Sequence, residues 1–317
     1  MVLEEQILRY YLSLFSSFIF IIYFLYIFNF KYLIPEIKIL TIDKGSSISK
    51  INNLINKNNN FLEKNFYYFS LRILNKYYKK INYGKFQLNE KNSFFSIYKT
   101  ISKKSNIDFK ITLIEGWQEY QLTRYLNFFF EDIGKISYSS ILADTYNVNS
   151  SLDFEDFMNF QDKNIKDYLL NFSENSTLQK YGIKKILIIS SLVEKEGINN
   201  YDKPLIASVI FNRLKINMKL QIDATVIFSL TQGLSKLDRP LKYSDLKFKN
   251  PYNTYMIYSL PPGMISIVSP ETIKIVLNSP KSDYFFYFYN VIEKKHIFSK
   301  NYSEHKKRLN EYRKINQ

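Results

Sequence analysis

The longest apolar run comes first: Tyr10 to Phe30 carries no formal charge and is dominated by Leu, Ile, Phe and Tyr, between Arg9 and Lys31. As a helix its 21 residues would reach about 31 Å at roughly 1.5 Å per residue, enough for a bilayer core. The run is longer than a signal-peptide apolar region, and no small-residue cleavage site follows in Lys31-Tyr-Leu-Ile-Pro35, so a retained membrane anchor is expected. Beyond it the period changes. Ile37 to Gly45 alternates like a strand, and from Ser46 or Ser47 a helical pattern places Ile48, Ile51, Leu54 and Ile55 on one side. The unit recurs loosely. Gly84 to Leu88 precedes Phe94, Ile97, Tyr98 and Ile101, and Phe109 to Gly116 precedes a helix with Leu122, Tyr125, Leu126 and Phe129. Asn56 to Asn60, rich in asparagine, reads as loop or helix-end material.

The second half is more helical. Ile186 to Gly197 is an apolar helix ending in Glu194-Lys-Glu196. Asp202 can cap the next helix, with Pro204 in its first turn and Ala207, Val209, Ile210 and Leu214 inward. Asp223 can cap a short helix after it. Pro261-Pro262-Gly263 forces an extended, then sharply turned backbone that suits a cleft wall. Ser269-Pro-Glu271 opens another helix, Asp283 to Tyr289 reads as a buried strand, and 303–317 as a basic helix in which Glu304 caps or pairs. The fold class is α+β. The pattern divides the chain into an N-terminal segment over 1–9, a transmembrane helix over 10–30, a small β-α region over 36–108 and a mixed α+β domain over 109–317; which side of the membrane 1–9 takes and what the last domain does are not read from the pattern.

The paired glutamates are the first candidate chemistry. On a wheel of 100° per residue, Ile183, Leu187 and Ser190 fall within about 40° of Glu194, whereas Lys184, Lys185 and Lys195 lie roughly 80 to 180° away. Glu194 therefore projects from a mostly apolar stripe, where a carboxyl group can hold a proton near neutral pH, as a general acid must. Glu196 lies about 160° from it, near Lys185, and is the candidate for an ordinary solvated ion pair. The alternative is that both are solvated residues in the last turn of a core helix.

Ordered segments around that pair resemble the endolytic murein transglycosylases, a membrane-anchored bacterial family that cuts nascent peptidoglycan strands. They are Ser190-Ser-Leu-Val-Glu-Lys-Glu196, Ala207-Ser-Val-Ile-Phe-Asn-Arg-Leu214, Met218-Lys-Leu-Gln-Ile-Asp-Ala-Thr-Val226, Asn250-Pro-Tyr-Asn-Thr-Tyr255, Ser259-Leu-Pro-Pro-Gly263 and the closing His296-Ile-Phe-Ser299 with Glu304-His305. Glu115-Gly-Trp117 matches a further family segment. In the middle of the chain only Ala143-Asp-Thr-Tyr146 survives of a longer run, and its Glu-Gly-Tyr part is gone.

The resemblance implies a lytic transglycosylase. It would cleave the β-1,4 bond between MurNAc and GlcNAc without water, closing the MurNAc 6-hydroxyl onto its own anomeric carbon to leave a 1,6-anhydro end and terminate strand elongation. One carboxyl group suffices, giving its proton to the departing oxygen and then taking one from the 6-hydroxyl. Glu194 is expected in that role, with Glu196 the alternative. Gln221, Asp223, Asn253 and Tyr255 are candidates for binding the sugar; loop bonding and capping are equal alternatives for Gln221 and Asp223. Arg213 reads as a structural arginine on helix-end carbonyls. The β-α modules resemble glycan-binding LysM units, with plain spacing the alternative.

The family precedent places the chain in the bacterial inner membrane as a single-pass protein with a cytoplasmic N-terminus over 1–9 and its catalytic domain, 109–317, on the periplasmic, outer side. The flanking charges, Glu4, Glu5 and Arg9 against Lys31 and Lys38, do not decide this. Implied partners are peptidoglycan glycan strands, the membrane and peptidoglycan synthases. A catalytically weakened, peptidoglycan-binding scaffold is the alternative function, motivated by the lost Glu-Gly-Tyr segment.

Composition narrows the rest. The absence of cysteine excludes disulfides and thiolate metal sites, and with two histidines, His296 and His305, a histidine-based metal site or triad is not expected. No cofactor or metal is called for. A net charge of +15 raises nucleic acid as a partner. The lysines are scattered among Asn, Ile, Tyr and Phe with no one-faced stripe, so none is expected, while lipid headgroups and stem-peptide carboxylates remain as anionic partners.

Overall fold

The computed structural model describes residues 2–33, 39–89 and 91–315. It is a mixed α+β chain of two compact units, one of residues 1–110 and 147–153, the other of 111–146 and 154–317. The predicted boundary at 108/109 had no means of showing the second feature, a seven-residue return of the chain to the first unit.

In the first unit, helix α1 (Val2–Asn29) is long and apolar enough to cross a membrane, and its membrane-length window is almost wholly unburied. Strand β1 (Ile39–Ile42) pairs antiparallel with β2 (Gly84–Gln87), Ile39 opposite Gln87 and Ile42 opposite Gly84. The first two residues of the expected strand, Ile37 and Lys38, lie outside the described residues. Three helices alternate with the strands, two between them and one after. They are α2 (Ile48–Ile55), capped by Ser47, α3 (Phe61–Tyr77), and α4 (Phe94–Ile101), capped by Ser93. Their buried faces meet Leu40, Ile42 and Phe86 in one core that also takes in Ile27 near the end of α1. The Gly84 backbone is left-handed and an added Cβ would meet Ser151 at about 3.0 Å, so only glycine fits there.

Helix α3 was not foreseen. The asparagine run, read as loop or helix-end material, supplies its cap: the Asn60 side chain accepts from the Glu63 amide at 2.9 Å. Its buried residues, Glu63, Tyr67 and Leu71, are fewer than its exposed apolar ones, so no one-sided pattern announces it.

The second unit is built on α7 (Ser176–Glu196), whose backbone kinks at Gly182 (φ 74°, ψ 157°). Residues 186–193 of α7 are buried without exception. They share a core with α8 (Lys203–Lys215), α9 (Asp223–Thr231) and α10 (Pro270–Leu277). Earlier in this unit come α5 (Glu119–Leu126) and α6 (Phe154–Leu170). The strands β3 (Asp108–Thr112) and β4 (Thr145–Asn149) pair, and the division between the units passes through both. The hairpin of β5 (Phe286–Asn290) and β6 (Lys295–Ser299) pairs Tyr287 with Phe298 and Tyr289 with His296, and α11 (Tyr302–Ile315) closes the described chain. β5 is half-buried rather than buried, because one face carries α11 and the other looks toward the end of α7. Within α11, Glu304 both accepts from the Lys300 amide and pairs with Arg308.

Candidate active site

The end of α7 divides the two glutamates sharply. The Glu194 side chain is 1% exposed. One carboxylate oxygen accepts from Lys203 Nζ at 2.5 Å, and the other accepts from the Ser269 amide and hydroxyl, both at 3.0 Å. Lys203 also donates to Thr272 Oγ1 at 2.9 Å. This buried ion pair ties the end of α7 to the first turns of α8 and α10. The two oxygens of Glu194 are thus taken by three donors within the protein. Its apolar stripe is the core itself, not a pocket wall.

Glu196 occupies the accessible position. It does not pair with Lys185. One carboxylate oxygen accepts from the Tyr287 hydroxyl at 3.1 Å. The amide of Ala224, in the first turn of α9, also donates to it, and Asp223 and Arg213 lie within electrostatic reach. It keeps partial access to solvent while protein packs densely around it. Burial, and then the neighbouring Asp223 carboxylate, push its carboxyl group up to about 7, against the pull of Tyr287, the Ala224 amide and Arg213. A helix wheel drawn on α7 alone contains none of these partners: β5 arrives from some ninety residues downstream and covers the face assigned to solvent.

The four expected sugar-binding residues separate in the same way. Gln221 is exposed and holds a left-handed backbone (φ 51°), fixed by its amide donating to the Thr254 carbonyl at 3.2 Å. Asp223 is exposed and accepts from the Tyr255 hydroxyl at 2.7 Å. It is the first residue of α9 and not its cap, a position held by Ile222. Tyr255 is half-buried, and burial together with its bond to Asp223 pushes its phenol up, so it stays a hydroxyl donor. Asn253 is different. It is fully buried, donates to the carbonyls of Leu246 (3.1 Å) and Phe248 (2.8 Å) and accepts from the Tyr255 amide. No sugar can reach it; it shapes the loop that carries Tyr255.

Arg213 is buried and spans the same region from behind. It donates to the carbonyls of Phe285 at 2.6 Å and Leu220 at 2.5 Å, and its guanidinium lies 5.3 Å from the Phe286 ring. It thereby joins the start of β5 to the segment that carries Gln221. Asp202 does not cap α8 with its side chain. Its carboxylate instead accepts from the His296 amide (2.9 Å) and contacts His296 Nδ1 (2.8 Å). The His296 ring packs edge-on against Tyr287 at 5.5 Å, so the closing histidine steadies the tyrosine that touches Glu196. Tyr287, which donates to Glu196, was not singled out in the sequence. It sits in an aromatic run, Tyr284 to Tyr289, where nothing local marks one hydroxyl as different.

The Leu260-Pro-Pro-Gly263 turn lines cavities, as a cleft wall would, but not at Glu196. One of about 620 Å³ runs along Lys180, Lys184, Lys185 and Ile188 to Tyr258 and Pro262. The other, about 940 Å³, lies between Tyr138, Leu187, Phe228 and Met264. From Ile188 to Glu196 is about 12 Å along the helix at roughly 1.5 Å per residue. The exposed Gln221 and Asp223 and the half-buried Glu196 and Tyr255 line neither cavity. Among the described residues no group of His, Asp and Glu is placed to hold a metal ion.

The model of the YceG-like family matches residues 40–311. The endolytic murein transglycosylase of Bacillus subtilis is 29% identical over 310 residues, covering 86% of this chain and 84% of that protein. The enzyme of the same name from Streptococcus pneumoniae is 31% identical over 178 residues, covering 53% of this chain and 31% of that longer protein. Among solved structures, a YceG-like protein from Listeria monocytogenes superposes with a TM-score of 0.56 at 25% identity, over 85% of this chain and 98% of that one.

Proposed function

The chain belongs to the YceG-like family, and from that premise we propose that it is an endolytic lytic transglycosylase acting on peptidoglycan, with Glu196 as the single acid and base. The observation that carries this assignment is the Glu196 carboxyl group, held near 7 yet still open to solvent. A group titrating there is protonated often enough at neutral pH to give a proton and weak enough as an acid to take one back.

In the first half of the reaction Glu196 gives its proton to the glycosidic oxygen as the bond to the MurNAc anomeric carbon breaks. In the second, the Glu196 carboxylate takes the proton of the 6-hydroxyl, whose oxygen bonds to that same carbon. The products are a 1,6-anhydro-MurNAc end and a free GlcNAc hydroxyl, and the carboxyl group is restored. Between the two steps the carboxylate is stabilised by the Tyr287 hydroxyl and the Ala224 amide at the start of α9. Asp223 faces the positive charge that develops at the anomeric carbon, and Tyr255 orients Asp223. Gln221 presents an amide at the same surface. Glu194, Asn253, Arg213 and the Asp202–His296 pair hold this constellation and do not touch the sugar.

The N-terminal apolar helix fits a single-pass anchor. In this reading the site works on the outer side of the cytoplasmic membrane, on peptidoglycan strands and beside their synthases. Mass analysis of fragments released from purified peptidoglycan tests the assignment. The native chain should leave 1,6-anhydro-MurNAc ends, and Glu196→Gln should leave none while melting as a folded protein. Anhydro ends still formed by Glu196→Gln would sink the assignment, and reducing ends from the native chain would mean hydrolysis.

A further inference from the structure

The anchor helix is free on all sides for only part of its length. Ile27 is 1% exposed, and its carbonyl accepts from the Tyr67 hydroxyl of α3 at 3.1 Å. Phe24 stacks on Phe66 at 4.3 Å and Phe28 lies against Phe94, while the Tyr23 hydroxyl and Lys31 both donate to Glu63. From Tyr23 onward one side of α1 is therefore packed against α3 and α4. At the other end the charged pair Glu5–Arg9 marks the limit of the apolar run. Residues 10–22 are left, thirteen in all, and they span about 20 Å at roughly 1.5 Å per residue. A bilayer core is about 30 Å thick. Some ten ångströms of hydrocarbon depth must be met by the protein surface around residues 23–30.

Helix α3 presents such a surface. Leu62, Phe69 and Ile73 fall within about 40° of one another on the wheel and Tyr77 borders them. All four are exposed, Phe69 and Ile73 at 59% each. Phe66, on the same side of α3, is the residue that packs against Phe24 and Phe28 of the anchor, so the stripe continues the anchor's own apolar surface. Exposed basic residues flank it, Arg72 and Lys76 on the helix and Lys79 and Lys80 just after it, with Lys76 and Lys79 over the rings of Tyr77 and Tyr78. An apolar stripe edged by lysine, arginine and tyrosine matches the boundary between acyl chains and anionic headgroups.

We propose that α3 is a second membrane element: its Leu62–Phe69–Ile73 stripe lies in the headgroup–acyl boundary of the bilayer that α1 enters, on an anionic surface. The inference rests on α1 being the anchor. It makes the first unit a rigid foot on the lipid rather than a module on a free tether.

The chain has no cysteine, so single cysteines can be labelled cleanly in the full chain. An environment-sensitive fluorophore is placed at Phe69→Cys and Ile73→Cys, with Phe15→Cys in α1 and Ser235→Cys in an exposed loop as references. The proteins are reconstituted in vesicles of phosphatidylethanolamine and phosphatidylglycerol. Labels at 69 and 73 should be quenched by a nitroxide carried shallowly on the acyl chain and be several-fold less sensitive to aqueous iodide than the label at 235. Iodide quenching at 69 and 73 equal to that at 235, with the label at 15 in lipid, would overturn the proposal while leaving the anchor intact. Iodide quenching at 15 as well would overturn the anchor and the proposal together. Labels at 69 and 73 shielded from both quenchers would mean that protein covers the stripe, which also overturns it.

Discussion

Replacing Glu196 with glutamine should change the pH dependence of stability in a way that no other single carboxylate on this surface predicts. In the native state its carboxyl group titrates at about 7, against an ordinary value of 4.5, chiefly because burial disfavours the charged form. The sign follows from proton linkage. Below the ordinary value both folded and unfolded chains hold the proton, and the group contributes no slope. Between 4.5 and 7 the folded chain holds a proton that the unfolded chain has lost, so stability falls as pH rises, and it levels once the native group ionises. The interval of 2.5 units, 7 minus 4.5, corresponds to roughly 3 to 4 kcal/mol at roughly 1.4 kcal/mol per unit. Glutamine keeps the acceptor for Tyr287 and has nothing to ionise. Relative to the native chain, Glu196→Gln should gain roughly 3 to 4 kcal/mol between pH ~4.5 and pH ~8, a rise in melting temperature of roughly 6 to 16 °C for a unit of this size. Thermal melts of the full chain in detergent, paired at each pH, measure it. Asp223→Asn, which removes the carboxylate that helps to hold Glu196 protonated, should shrink the difference. Parallel curves for Glu196→Gln and the native chain across that range would refute the reasoning, because the proton would then reside elsewhere.

Two further outcomes separate the roles of the neighbours. Glu194→Gln strands Lys203 in the core and should cost about 3 to 5 kcal/mol in a denaturant melt, whereas Glu194→Gln combined with Lys203→Met should recover much of that loss and retain anhydro-product formation. A double variant that is folded but inactive would return the proton-donor role to Glu194. Tyr287→Phe removes a bond that favours the ionised form of Glu196, so the alkaline limb of the kcat/KM profile should move upward by up to about one pH unit. An unmoved limb with a lower plateau would make the tyrosine a packing group only.

What the sequence disclosed and what it withheld divide along the distance over which each residue acts. The N-terminal apolar helix, the helix starts at Ser46 or Ser47 and at Ser269 and the strand-helix alternation of the first hundred residues are local, and were legible because each leaves its pattern within one element. Helix α3 was not, and the reason bears on its use: a helix that buries one stripe in protein and offers another to a second apolar medium shows no clean amphipathic period. The end of α7 was legible only in part. The motif located both glutamates to within two residues, but choosing between them needed Lys203 and Ser269 on one side and Tyr287 and Asp223 on the other. The apolar stripe that made Glu194 attractive is the core in which it is sealed by a counter-charge, while Glu196 seemed solvated because β5 and α9, which cover it, lie far away in the chain. A wheel reports the polarity of a residue's own helix; the environment that tunes a carboxyl group is made by the elements packed against that helix. For a motif with two carboxylates two residues apart, the one whose face looks polar on its own helix is the one left free to be desolvated by later strands, and the one on the apolar face is the one that the core must neutralise.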